Sequence, residues 1–114
     1  MGANERPFTG RFRADGTPLT LAEYERAGGY AGLRKALTTM TAEAVVAEVD
    51  CANLRGRGGA GFPAGRKWKS VPANAGPTRY VIANADEMEP GAFKDRVLME
   101  GDPHQLIEGM AIAA

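Results

Sequence analysis

The sequence predicts an α/β chain in which several helices come first and the beginning of an incomplete sheet follows. Three observations lead to this prediction: apolar residues at helical spacing in the first half, one strand-like run at 79–84, and helical patterns again after it. The 114 residues suffice for one small domain or a part of one. We divide them into an extended N-terminal arm at 1–19, a helical segment at 20–55 and a third region at 56–114.

Three helices are expected in the first half. The first covers about residues 19–27, where two glycines end it, and the second covers 30–37. Thr41 can cap a third helix over about 42–49. A strand is the alternative for this last segment, because its valines also suit strands. Its Glu and Ala content favours the helix.

The second half is predicted to contain loops, one strand and three helices. Pro63 can stand in the first turn of a short helix that Pro72 would end. The run 79–84 is the best strand candidate, with a β-branched centre that we expect to be buried. Residues 93–100 are expected to be helical.

The last helix has the clearest beginning. Asp102 is its expected N-cap, Pro103 its first residue, and Gln105 is placed for a capping box. No glycine, basic turn or polar tail ends this helix before Ala114. We therefore expect the chain to be a fragment that is cut inside a helix.

A glycine-rich loop at 56–65 holds five of the 15 glycines and is the first candidate site. Glycines remove side chains, so a flat or phosphorylated ligand can lie against the main chain, and Arg57, Arg66 and Lys67 add positive charge. Residues 56–61 match the spacing G-x-G-x-x-G, but a dinucleotide-binding motif needs a strand before it, where a helix is expected. A Walker loop does not fit. The alternative is a glycine-rich connection between packed helices.

An acidic loop, residues 84–91, is the second candidate site. Asp86, Glu87 and Glu89 follow the predicted strand, where ligands gather in open α/β sheets. Their carboxylates suit the hydroxyls of a ribose or ribityl chain. A solvated acidic turn is the alternative, and the basic glycine-rich loop upstream favours a site.

Composition narrows the classes of partner. The 14 basic and 14 acidic residues balance, so the charge gives no argument for nucleic acid. No apolar run is long enough to span a bilayer, so direct membrane insertion is not expected. The single cysteine, Cys51, excludes a disulfide within the chain and a Cys-only metal site, and we predict no metal ligands. His104 is expected to be a surface or capping residue.

Together the runs GRGGAGFPAGRKW, NADEMEPGAFKDRVLME and PHQLIEGM resemble the family of NADH-binding subunits of respiratory complex I, the NADH-quinone oxidoreductase. The resemblance extends from about Tyr24 to the end. The diaphorase subunits of NAD-reducing hydrogenases and the beta subunits of NAD-dependent formate dehydrogenases look similar. The resemblance implies that residues 56–114 begin a Rossmann-like domain that binds FMN and NADH.

Site residues follow from the resemblance position by position. Contacts with the flavin would come from Gly56, Arg57, Gly58, Lys67, Asn84, Asp86 and Glu87. Contacts with NADH would come from Gly59, Ala60, Phe62, Lys67 and Glu89. Gly61 and Gly65 complete the cofactor-binding set, and Lys67 and Glu89 are the candidate catalytic residues. The family commonly has an aromatic residue at the position of Ser70.

The resemblance also implies an activity and partners. The activity would be hydride transfer from NADH to FMN, followed by electron transfer through a 4Fe-4S cluster whose ligands are not in this chain. Partners would be other hydrophilic-arm subunits, especially the thioredoxin-like 2Fe-2S subunit, in a cytoplasmic complex peripheral to the inner membrane. We expect this fragment to be inactive alone. A non-catalytic nucleotide-binding module and a subunit-docking fragment are the alternatives from other classes.

Overall fold

Six helices are present among the described residues, 6–71, 76 and 78–114, of a computed structural model. Each predicted helix is confirmed, and the helical alternative for the valine-rich segment is the correct one. The N-terminal residues 1–5 of the predicted arm, and Pro72 as a helix end, lie outside the described residues. In chain order the helices are α1 Leu21–Arg26, α2 Ala31–Thr39, α3 Ala42–Cys51, α4 Ala64–Lys69, α5 Lys94–Gly101 and α6 Pro103–Ala113.

Short polar side chains begin three of these helices. Thr20 and Glu23 form a reciprocal capping box at α1, and Thr41 accepts a hydrogen bond from the Ala44 N–H at α3. At α6, Asp102 accepts from the Gln105 N–H at 3.2 Å. These caps satisfy backbone donors that no helical carbonyl can reach.

The capping box predicted for Gln105 is wrong. The Asp102 N–H donates instead to the Leu98 carbonyl at 3.0 Å, because α5 runs directly into α6 and uses that N–H in its own last turn. Gln105 has no orphan donor to satisfy there. Its amide reaches the N-terminal arm and donates to the Pro7 carbonyl at 3.0 Å.

Helices α3 and α4 pack closely through a glycine. A Cβ on Gly65 would lie 2.7 Å from the Cα of Asp50, so no larger residue fits without a shift of the backbone. The Lys69 ammonium pairs with the Asp50 carboxylate at 2.6 Å across the same contact. Gly65 therefore has a packing role that its place in the glycine-rich loop did not predict.

Tyr24, Tyr30, His104 and Glu108 form a polar cluster, which we name the Glu108 cluster. Tyr24 is 1% exposed and stacks on His104 with ring centroids 5.3 Å apart. Glu108 accepts hydrogen bonds from the Tyr24 hydroxyl at 2.6 Å and from the Tyr30 N–H at 2.8 Å. The cluster joins α1 and the start of α2 to α6, whose contacting residues lie 74 to 84 positions further along the chain.

The strand predicted at 79–84 does not form. Residues 78–84 carry no ladder hydrogen bonds, and the expected buried centre is open: Tyr80 is 82% exposed and Ile82 is 83% exposed. A strand needs a neighbouring strand to satisfy its backbone groups, and no described segment offers one. The described fold is helix-rich, with one isolated bridge between Arg55 and Pro63, and the α/β class is not confirmed. No described helix is both long and apolar enough to cross a membrane.

Candidate functional site

The glycine-rich loop is fastened at its base and free at its tip. The Gly56 N–H donates to the Phe62 carbonyl at 2.9 Å, and the Ala64 N–H donates to the Leu54 carbonyl at 2.8 Å. These two bonds flank the bridge between Arg55 and Pro63. The residues between them stand in solvent as a closed loop that leads directly into α4.

Backbone conformation explains why glycine is needed at the tip. Gly59 has φ 109° and Gly61 has φ 62°, values that L side chains rarely adopt. A Cβ at Gly58, Gly59 or Gly61 would meet no described atom within 4 Å. The tip thus presents bare main chain that a flat ligand or a phosphate could approach.

Positive side chains surround this bare main chain. Arg55 donates to the Gly61 carbonyl at 3.3 Å and so supports the loop from within. The Arg57 guanidinium lies 5.0 Å from the centre of the Phe8 ring, a cation–π contact that ties the loop to the N-terminal arm. Lys67 and Arg66 are exposed on α4, and neither has an ion-pair partner among the described residues.

Three further members of the predicted set lie on or beside the loop. Ala60 and Phe62 are exposed, Phe62 by half of its surface. Gly65 is buried against α3. Ser70, where the family commonly has an aromatic residue, ends α4 and donates its hydroxyl to the Lys67 carbonyl at 2.7 Å.

The acidic loop divides its polar residues between two uses. Asn84 accepts from the Asp86 N–H at 3.0 Å, a local turn that shapes the start of the loop. Glu87 reaches forward to α5 and accepts from the Asp95 N–H at 2.8 Å. The Asp95 N–H is the main reason that the pKa of the Glu87 carboxyl lies below its ordinary value. Asp86 and Glu89 remain exposed to solvent.

The two loops do not meet directly in this structure. Between their described residues there is no hydrogen bond or ion pair. Nor do the predicted site residues line the larger cavity, a groove of about 550 Å³ formed by α2, α3, α4, the segment 79–81 and the end of α6. Both loops are open surfaces, and the fold described here does not bring them together.

The N-terminal arm contacts both the glycine-rich loop and the start of α6. Residues 6–10 form a turn, and the Gly10 N–H donates to the Arg6 carbonyl at 2.8 Å. Phe8 lies against Arg57 of the glycine-rich loop, and Arg11 pairs with the buried Asp102 at 3.6 Å. Residues 6–11 of the arm therefore lie on the surface of their own chain.

Sequence reasoning missed the Glu108 cluster entirely. His104 was expected at the surface, yet it is half-buried, with Nδ1 3.0 Å from the Tyr30 hydroxyl. The signal that could have found the cluster is Glu108 itself, an acid that directly follows the apolar pair Leu106 and Ile107 in α6. Such a carboxylate needs donors from elsewhere when it is drawn away from water.

A known family of protein domains matches the second part of this chain. The profile of the Nuo51 FMN-binding domain family matches residues 49–114, which include both loops, α4, α5 and α6. This match covers more than half of the chain. It begins before the glycine-rich loop, within the last turn of α3.

Individual relatives cover almost the whole chain but only a small part of their own length. An NADH-quinone oxidoreductase subunit of Rhizobium meliloti is 60% identical over 82% of this chain and 22% of its own length. The corresponding NADH-quinone oxidoreductase subunit of Escherichia coli is 51% identical over 95% of this chain and 24% of its own length. The NADH-quinone oxidoreductase subunit of Aquifex aeolicus is 56% identical over 83% of this chain and 22% of its own length. The chain thus spans about a quarter of the length of the curated relatives it matches.

Proposed function

This chain belongs to the Nuo51 FMN-binding domain family, and from that premise we propose that it supplies part of the site at which an NADH-oxidising subunit binds FMN and NADH. The observation that carries the proposal is the bare main chain at Gly58, Gly59 and Gly61. A planar, phosphorylated ligand needs such an approach, and the exposed cations beside it suit a phosphate.

The residues present fit a flavin nucleotide. Gly56, Gly58 and Gly61 offer backbone without side chains, and Arg57 and Lys67 offer charge for a phosphate or for an electron-rich ring. When bound, FMN would supply the redox chemistry, which is hydride acceptance from NADH and release of single electrons. The protein residues bind and orient the two nucleotides.

Individual roles in the proposal follow the family pattern. Lys67 provides positive charge next to the reacting ring, and Phe62, half exposed at the base of the loop, offers a face for stacking of the adenine. Glu89 and Asp86 are free to accept hydrogen bonds from ribose or ribityl hydroxyls. Gly59 and Ala60 line the side on which NADH lies, and Asn84 shapes the start of the acidic loop through its turn.

The complete subunit is part of the proposal. The chain has a single cysteine, Cys51, so the ligands of the proposed 4Fe-4S cluster would come from other residues of the complete subunit. The exposed segment 79–84 would become a strand where a neighbouring strand is supplied, which would give residues 56–114 the Rossmann-like sheet expected of them. The fragment alone would then be inactive.

The assembly we propose is the respiratory NADH:quinone oxidoreductase. The relatives bear the names of NADH-quinone oxidoreductase subunits, which supports this choice over a formate dehydrogenase or a hydrogenase. The partners would be other subunits of the hydrophilic arm, including the thioredoxin-like 2Fe-2S subunit. The location would be the cytoplasmic side of the inner membrane, reached through the complex.

The test uses the protein expressed from the full reading frame that contains this chain. We expect bound FMN and reduction of ferricyanide by NADH. Lys67→Ala should keep the flavin and lower the rate on the order of 100-fold, since it removes a preorganised charge. Lys69→Ala is the matched control, because Lys69 stands on the same helix but pairs with Asp50, and its rate should stay unchanged. Absence of flavin from the unsubstituted protein would refute the proposal.

A further inference from the structure

Helix α5 begins without a side-chain cap of its own. Phe93 stands at its N-cap position and offers no oxygen to the first backbone N–H groups. Uncapped donors at the start of a helix are costly when nothing else satisfies them. Water or another group of the protein must therefore satisfy the donors at the beginning of α5.

Glu87 supplies the acceptor for these donors, and it reaches α5 from within the acidic loop. Its Oε1 accepts from the Asp95 N–H at 2.8 Å and its Oε2 accepts from the Arg96 N–H at 3.2 Å. The Lys94 ammonium lies 3.6 Å from Oε1. Both carboxylate oxygens are thus in use, and the side chain is 11% exposed.

We propose that Glu87 is a positioning residue: by capping α5 it fixes the loop that carries Asp86 and Glu89, and its carboxylate does not contact the ligand. The proposal rests on the function proposed above and changes one part of it. The family pattern counts Glu87 among the flavin contacts, whereas its geometry here assigns the ligand-facing carboxylates to Asp86 and Glu89 alone.

Charge and hydrogen bonding both favour this assignment. A carboxylate at a helix N-terminus is stabilised by the backbone dipoles and by the N–H groups directed at it. The groups that face Glu87 are the two N–H groups and Lys94, which also pairs with Asp95 at 3.0 Å. Turning Glu87 toward a ligand would leave two helix donors unpaired. The low pKa of its carboxyl agrees with a cap that is ionised at neutral pH.

The loop between Glu87 and α5 is closed by this contact. It contains Gly91, with φ 79°, and a turn in which the Ala92 N–H donates to the Glu89 carbonyl at 3.0 Å. With both ends fastened, Glu89 has a fixed place relative to α5. Without the two hydrogen bonds from Glu87, only the covalent backbone would connect this loop to α5.

Amide hydrogen exchange tests the cap independently of catalysis. In the flavin-loaded protein, Glu87→Ala should speed exchange in the peptide spanning residues 93–98 by about tenfold, which is the usual size of a lost cap. Met88→Ala is the matched control: Met88 is the next residue, 80% exposed, and its exchange should stay as in the parent.

A second-site rescue separates positioning from contact. Asp102 caps α6 with a backbone φ of −146°, and Phe93 has a similar φ of −149°, so Phe93→Asp can place a carboxylate at the start of α5. Glu87→Ala should also raise the KM for NADH, because the loop that carries Asp86 and Glu89 is no longer fixed. In that background Phe93→Asp should restore both slow exchange and the parent KM. The midpoint potential of the flavin should stay unchanged in Glu87→Gln, because a charge that lies on α5 and not on the ring has little effect on it.

The outcomes are distinct. Unchanged exchange in Glu87→Ala, or a shifted flavin potential in Glu87→Gln, would overturn the positioning role. Failure of the unsubstituted protein to bind flavin would refute the proposed function, whereas the same exchange measurement on the flavin-free protein would still decide whether Glu87 caps α5.

Discussion

The Glu108 cluster and the glycine-rich loop are held together in opposite ways. In the cluster, one carboxylate serves donors from two other elements, and Tyr24 is almost completely buried. In the loop, two backbone hydrogen bonds fasten the base, and every side chain at the tip, 57–60, is exposed. The first region uses its polar groups internally, whereas the second leaves its backbone available to something else.

This difference separates stability from function along the chain. No buried side-chain nitrogen or oxygen among the described residues lacks a hydrogen-bond partner. Glu108 alone accepts three hydrogen bonds from other elements. The loop contributes little to the packed part, so substitutions at its tip should change binding before they change folding. Three predictions test this division.

The largest effect is expected from Glu108→Leu. The substitution removes the acceptor for the Tyr24 hydroxyl and for the Tyr30 and Leu33 N–H groups, and leaves a buried hydroxyl unpaired. The free energy of unfolding should fall by about 3 kcal/mol, measured by urea denaturation. Glu108→Gln keeps one acceptor oxygen and should lose about half as much. Equal, small losses in both variants would show that the cluster does not carry the stability of the fold.

The same substitution placed in the two regions should give a smaller but cleaner contrast. In Gly29→Ala the new Cβ would lie 2.0 Å from a carbon of the Tyr24 ring, so the ring must move. We expect a loss of about 2 kcal/mol. In Gly58→Ala the Cβ meets no described atom within 4 Å, and the change in stability should stay below about 0.5 kcal/mol. Comparable losses at both positions would contradict the division between the regions.

Acidification should gradually lower the stability of the folded state, because Glu23 in α1 and Glu108 in α6 would take up protons. The Thr20 hydroxyl and N–H donate hydrogen bonds to the Glu23 carboxylate and, with a further contribution from Arg13, lower the pKa of Glu23 from 4.5 to about 2. Burial would raise the pKa of Glu108, but the Tyr24 hydroxyl and the Tyr30 and Leu33 N–H groups outweigh it and lower the pKa. Carboxyls with lowered pKa values stabilise the folded state above pH 4.5, and this stabilisation is lost as the pH falls through their folded pKa values.

Thermal unfolding followed between pH 5 and pH 2 measures this loss, with pH values chosen to span the lowered pKa of Glu23. Glu23→Gln should make the dependence on pH shallower, because that variant has no proton to take up at this position. A melting temperature that stays constant over the range in the parent protein would contradict the assignment.

Local patterns in the sequence predicted what local interactions determine. Thr41 and Asp102 were identified as caps because the backbone N–H groups that donate to their side chains lie only three residues further along the chain. The glycine-rich loop was identified because conformations such as that of Gly59 exclude other residues. Both features depend on neighbours along the chain.

Contacts between distant residues could not be predicted in the same way. Tyr24 and Glu108 are separated by 84 positions, and neither residue type indicates the other. The strand at 79–84 has the right composition, but composition supplies no partner strand, and residues such as Ile82 stay exposed. Glu87 caps a helix eight residues further along, outside the usual spacing of a cap.

The capping carboxylates have a consequence for how this region can change during evolution. Glu87, Asp102 and Glu108 hold the starts of α5, α6 and α2 in turn, and helices α5 and α6 set the spacing between the three acids. One residue inserted into α5, or into α6 before Glu108, would rotate the helix after it by about 100° and carry Glu108 away from its donors on Tyr24 and α2. From Glu87 to Glu108 the chain should therefore tolerate changes of residue far better than changes of length.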